Sequence, residues 1–308
     1  MKIPAPIALF VYNRPGPTRR TLDALRANVL APESPLYIFS DGPRNEGDRR
    51  EVELVRACCR GISGFQSVEL IERDSNLGLA RSIVAGVTEL TKNHGSVIVL
   101  EDDLDTSPYF LQYMNQGLNL YENDERVISI HGYVYPTQEE LPETFFLRGA
   151  DCWGWATWKR GWDVFEADAA SLLERIRERN AGRDFDFGGT YPYTRMLRKQ
   201  AMGHIDSWAV CWYASAFLKD KLTLYPGRSL VNHIGFGDYA THNRLLSRHF
   251  ESELATSPVR VERIPVTEDA GARQAFGSFF RGMRESPASR GWQILLHILR
   301  WRAKLFFL

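Results

Sequence analysis

Cysteine is scarce in this chain, and its four thiols, Cys58, Cys59, Cys152 and Cys211, show no paired metal-ligand spacing. That excludes a cysteine-built metal centre, and adjacent Cys58 and Cys59 are poorly placed to bridge each other. A reducing cytoplasm is the expected setting. An excess of one charge is also missing, because 38 Lys and Arg balance 38 Asp and Glu. With no field to gather a polyanion, nucleic acid is not an expected partner. The opening Met1-Lys2-Ile3-Pro4 lacks the basic region, long apolar core and cleavage site of a signal peptide, so the apolar stretch after it is expected to be a strand. Internal repeats and low-complexity segments are absent too. What remains is a 308-residue chain, 44% hydrophobic and 25% charged, which is the composition of a globular protein of one large or two modest domains.

From residue 3 to about 131, short apolar runs alternate with amphipathic stretches, the pattern of a parallel sheet wrapped by helices. The runs cover residues 7–11, 36–39, 68–71 and 97–100, with helical patterns beginning at Thr18, Asp48 and Leu77. Each run ends in polar, loop-type residues. These are Tyr12-Asn13-Arg14-Pro15, Ser40-Asp41-Gly42-Pro43, Asp74 to Gly78, and Glu101-Asp102-Asp103. Ligands of open α/β sheets bind beyond the carboxyl ends of the strands, so four loops are expected to converge on one crevice. From about residue 132 the alternation stops. Aromatics and glycine take over in Cys152-Trp153-Gly154-Trp155-Ala156-Thr157-Trp158, which suggests an acceptor-side half rather than more sheet wrapping. A helical stretch after Asp206, a strand pair over 222–225 and 229–232, and a polar loop with Gly235, Gly237, His242 and Asn243 complete this half.

Three successive carboxylates at a strand end repel one another beside a low-dielectric core, and a divalent cation resolves that conflict. Mg²⁺ and Mn²⁺ take carboxylate oxygens together with substrate phosphates. A solvated acidic strand end is an equal reading of the run alone. Asp41 is a pure acceptor suited to the imide N–H of a uracil ring, and is also a common turn residue. Asn76 to Arg81 opens a helix with a glycine, offering backbone N–H groups and the Arg81 guanidinium to an anion; a plain helix start is the alternative. Arg14 carries the same ambiguity.

Together these loops resemble the nucleotide-binding half of glycosyltransferases with the GT-A fold, including family-two enzymes and N-acetylglucosaminyltransferase-I-like proteins. The resemblance covers residues 5–245 and rests most on Asn76 to Arg81 and on Val-Ile-Val-Leu-Glu-Asp-Asp, which stands at the family's Asp-x-Asp metal motif as a Glu-Asp-Asp variant. It implies Asp103 as the direct ligand of Mn²⁺ or Mg²⁺, with Glu101 or Asp102 touching ribose or metal-bound water. It implies Asp206 as the catalytic base of an inverting transfer, against the alternative of a helix cap. It also implies a late histidine on the metal, His242 before His233, and acceptor contacts at Trp153, Gly154, Trp155 and Trp208.

The resemblance thus implies an α/β GT-A domain over residues 1–250, split at 131 into nucleotide and acceptor halves, followed by an extension over 251–308. The implied activity moves a sugar from a nucleotide-sugar donor, UDP-linked, to a glycan or glycolipid acceptor. The terminal segment from Gly291 to Leu308 mixes Trp and Leu with Arg and Lys, which makes it an interfacial helix for the inner membrane face or a docking helix, but not a spanning one. A sugar-phosphate nucleotidyltransferase is the nearest rival, although Tyr12 to Pro15 lacks the glycine- and Arg/Lys-rich signature that such an enzyme places after its first strand. A non-catalytic sugar-binding protein of the same fold is the other.

Overall fold

The computed structural model describes residues 3–235 and 250–285. Gly237, His242, Asn243 and the terminal segment from Gly291 lie outside the described residues, and with them the expectations attached to them.

The expected alternation is realised as β1 (Ile7–Val11), α1 (Pro15–Arg26), β2 (Pro35–Ser40), α2 (Glu46–Arg60), β3 (Ser67–Glu72), α3 (Leu79–His94) and β4 (Ser96–Glu101). β1 is an unbroken apolar run because it is buried along its whole length. Local signals set the helix ends. Pro15 sits in the first turn of α1, the Asn45 side chain accepts from Asp48 N at the start of α2, and left-handed Gly95 closes α3.

The rest of the chain forms β5 (Leu104–Thr106), α4 (Phe110–Leu120), β6 (Val127–His131), β7 (Thr144–Arg148), β8 (Trp155–Trp158) and α5 (Lys159–Trp162). Beyond them lie α6 (Ala169–Glu178), α7 (Gly182–Phe185), α8 (Tyr193–Ala201), α9 (Trp208–Leu218), β9 (Leu222–Pro226), β10 (Val231–His233) and α10 (Ala270–Glu285). The main sheet has eight strands in the order β3-β2-β1-β4-β8-β6-β9-β7. β1 to β4 run parallel, whereas β8 is antiparallel to both β4 and β6.

Two expectations are corrected here. The chain beyond residue 131 does not stand apart from the sheet; it contributes β7, β8 and β9 to it. All four residues of β8 are buried between β4 and β6, so the strand carries no polar alternation by which it could be read. The two late strands also do not pair with each other. β9 joins the main sheet, while β10 pairs antiparallel with β5 in a separate ribbon.

Burial of β8 also decides the tryptophans. Trp155 is 1% exposed and stacks on Trp208 with ring centroids 5.5 Å apart, and Trp162 and Trp212 close the cluster. At the end of β6, His131 is fully buried, neither ring nitrogen makes a hydrogen bond, and Asp151 stands 3.8 Å away. Burial pushes its pKa down to about 4, against a smaller upward pull from Asp151. The unfolded chain gains that proton near pH 6.5 and the native one does not, so stability is complete above pH 6.5 and falls toward pH 4. A loss of about 2 kcal/mol is expected between pH 7.5 and 5. Urea unfolding at the two pH values measures it, and His131→Gln should flatten the difference; equal pH dependence in the two proteins would contradict this.

Candidate functional site

The strand order 3-2-1-4 reverses direction between β1 and β4, and the loops leaving those two strands therefore part, opening a crevice at their carboxyl ends. Phe10 lies beside Glu101 in the register of that pair. Residues 12–14 and 101–103 thereby face each other across the crevice, whose volume is about 310 Å³. Tyr12, Arg14, Asp41, Asn76, Glu101 and Asp102 all line it, as the sequence led one to expect for five of them.

The acidic run is held by a cation of the chain itself. Arg14 Nη1 donates to Asp103 Oδ2 at 2.9 Å, and Arg14 Nη2 donates to Asp102 Oδ1. Asp102 is 3% and Asp103 7% exposed. Burial raises the pKa of Glu101, and repulsion from Asp103 and Asp102 adds to it. Burial raises that of Asp102 as well, while Arg14 pulls the other way. Burial works against the charge on Arg14, but the two carboxylates outweigh it and hold the guanidinium protonated.

On the far side of the acidic run, the β5–β10 ribbon brings His233 to it. His233 Nε2 lies 3.6 Å from Asp103 Oδ2, and Ile234 N donates to Asp103 O at 2.8 Å. A Cβ on Gly235 would stand 2.4 Å from Asp103 Oδ2, so only glycine permits this approach. Among the described residues, no three His, Cys, Asp or Glu side chains form a ready metal cage. The donors present are two carboxylates with an adjoining imidazole, the chemistry that Mn²⁺ accepts, and a cation there would share or displace Arg14. Of the two candidate histidines, His233 reaches Asp103; His242 is outside the described residues.

The Asp41 carboxylate is already engaged by the chain itself. Asp41 Oδ1 accepts from Gly42 N and Leu77 N, and Oδ2 from Asn76 Nδ2 and Gly78 N, all within 3.0 Å. Its lone pairs are thus filled by the loop before α3, and an arriving base N–H would have to displace one of these donors. Gly42 allows the contact, because a Cβ there would stand 2.5 Å from the Ser75 backbone. The loop delivers the start of α3, which has no side-chain cap and leaves its first N–H groups available beside the crevice.

Arg81 is corrected. The crevice-facing residues of α3 are Leu79 and Ser82, and Arg81, about a third of a turn away, stands on the flank facing a second groove. Trp155 is corrected too, since its indole is buried and offers no face to a sugar. Gly154 is a packing glycine, with φ +65° and space for a Cβ denied by Val231 Cγ2 at 2.6 Å. Trp153 is only half-buried and packs on His233, 4.8 Å between ring centroids. Trp208 is buried but edges the second groove.

Asp206 precedes α9 without capping it. Ser207 is the cap, accepting from Val210 N, and the Asp206 carboxylate is exposed. It stands near the loop before α3, because a Cβ on Gly78 would be 3.9 Å from Asp206 Oδ2. Sequence reasoning missed the outer rim of the crevice. The Tyr12 hydroxyl donates to Asp48 Oδ2 at 2.6 Å, and Arg44 lies over the Tyr12 ring at 5.3 Å. The four-residue spacing of Arg44 and Asp48 across a helix start was the available signal.

Fold and crevice define an open α/β protein with a polar crevice at its topological switch point. No family model matches the chain, and no curated protein matches it by sequence. Among solved structures it is similar to the mannosyltransferase PcManGT from Pyrobaculum calidifontis in complex with GDP-Man and Mn²⁺, at 14% identity and a TM-score of 0.31 over 43% of this chain and 37% of that one. It is also similar to S. aureus TarS, at 11% identity and a TM-score of 0.39 over 92% of this chain and 44% of that one. The chain spans less than half the length of either.

Proposed function

We propose that this chain is a glycosyltransferase of the GT-A type, transferring a sugar with inversion from a nucleoside-diphosphate donor, UDP-linked, to a glycan or glycolipid acceptor. The observation that carries the reading is the convergence of Arg14, Asp102 and Asp103 on a crevice bounded by the uncapped start of α3, with the exposed Asp206 carboxylate beside that helix start. In this reading the N–H groups of α3 and the Arg14 guanidinium receive the donor's phosphates, and the crevice holds the nucleoside. Tyr12 and Arg44 border its rim. Asp41 keeps the loop before α3 in register with the crevice. Asp206 takes the proton of the acceptor hydroxyl as its oxygen attacks the anomeric carbon. Asp103, with Asp102 and His233, would hold Mn²⁺ or Mg²⁺, which supplies positive charge against the leaving diphosphate.

Thermal unfolding with a panel of UDP- and GDP-sugars, with and without Mn²⁺, tests the assignment. One donor at about 100 times its dissociation constant should stabilise the protein by roughly 2.7 kcal/mol and be hydrolysed slowly without acceptor. Stabilisation with no turnover under any metal would leave a sugar-binding protein; stabilisation by none would refute the reading.

A further inference from the structure

A larger groove of about 770 Å³ lies next to the crevice and shares Asp206 with the proposed site. One wall is a stripe of α3, running through Arg81, Val84, Ala85, Thr88 and Lys92 at helical spacing. The opposite wall comes from Phe165, Ala167, Trp208 and Cys211. α3 therefore has three faces: core residues such as Ile83, Val87 and Leu90, the crevice face of Leu79 and Ser82, and this flank. An exposed helix flank facing solvent alone has no need of the apolar wall set opposite it. The stripe from Arg81 to Lys92 is about 16 Å long. This wall is apolar at Ala80, Val84 and Ala85, with Arg81 near one end and Thr88, Glu89 and Lys92 toward the other.

Resting on the function proposed above, we infer that the groove seats the hydrocarbon chain of an amphiphilic acceptor, whose sugar head reaches Asp206. Continuity is the first argument, because the groove ends at the carboxylate that must meet the acceptor hydroxyl. Charge is the second. Arg81 stands at the Asp206 end, where an anionic linkage between chain and head group would lie, while the far end carries both Glu89 and Lys92 and has no charge of one sign. The volume is that of a small-molecule site rather than of a protein interface. This role also gives Arg81 a function on the flank where it stands.

Ala85 is exposed on the helix surface, so Ala85→Glu puts a charge in the groove without touching the core. A dodecyl glycoside brominated along its chain should quench tryptophan emission saturably below its micellar concentration, and Trp208→Phe should remove most of that quench. Ala85→Glu should weaken binding at least ~10-fold, the loss expected from exposing a few methylene groups. In turnover assays, octyl glycosides should show a KM at least ~10-fold below methyl glycosides of the same sugar. Ala85→Glu should erase that preference while leaving donor hydrolysis and the methyl glycoside KM unchanged. Quenching that ignores Ala85→Glu, or a chain-length preference that survives it, overturns the inference. Failure of the transferase reading shows itself separately, as absence of donor hydrolysis in the unaltered protein, and the quenching assay then decides the groove without turnover.

Discussion

Asp206→Asn is expected to lower sugar transfer by about 100- to 10,000-fold, the range that a positioned general base contributes. The amide is close in size to the carboxylate but cannot take the acceptor proton. Donor affinity should be unchanged, because the donor's expected contacts lie with Arg14, the start of α3 and the acidic run. Stability should be unchanged as well, since Ser207 and not Asp206 caps α9 and the Asp206 side chain is exposed. The separation is informative because a capping residue and a base predict opposite results: loss of a cap costs about 1 kcal/mol with modest effect on rate. Measuring kcat, donor affinity and thermal midpoint on the same preparation distinguishes them. Full transfer in Asp206→Asn removes this residue from the chemistry.

Arg14→Met should destabilise the metal-free protein by about 2 to 3 kcal/mol, somewhat below the cost of breaking a fully buried pair because the Arg14 side chain is a third exposed. The physical cause is what it leaves behind. Asp102 and Asp103 are buried, Glu101 adjoins them, and the guanidinium is the cation that compensates the group. Without it the carboxylates must take up protons or find another cation. Unfolding by urea in EDTA should therefore show the deficit, and Mn²⁺ should recover part of it, with tighter Mn²⁺ binding than in the unaltered chain. Calorimetric titration with Mn²⁺ reads the second effect without reference to turnover. An Arg14→Met protein as stable as its parent in EDTA would show that solvent, not Arg14, neutralises the run.

The parallel half of the fold was legible because β1 and β4 are buried on both faces and the helices on one, which writes two distinct periods into the chain, while β3, exposed at the sheet edge, was legible from its apolar, β-strand-forming residues. β1 is the clearest case, with observed bounds equal to those of its apolar run. β8 was illegible for the same kind of reason: a four-residue segment buried all round has no period, and its tryptophans resembled a sugar platform. Asp41 shows another limit. Its residue type promised an acceptor, but whether the lone pairs are free depends on a loop 35 residues further on.

Sequence alone determined the alternation of strand and helix, the polar strand ends and the residues capable of proton and cation chemistry, because propensity, periodicity and charge are local properties. Tertiary structure decided which of them meet. The juxtaposition of β1 and β4 at the reversal of strand order sets Arg14 against Asp102 and Asp103, the β5–β10 ribbon brings His233 to Asp103, and about a third of a turn of helix phase sets Arg81 on the groove side rather than the crevice side. Those are consequences of packing between segments far apart in the chain, and no local pattern encodes them.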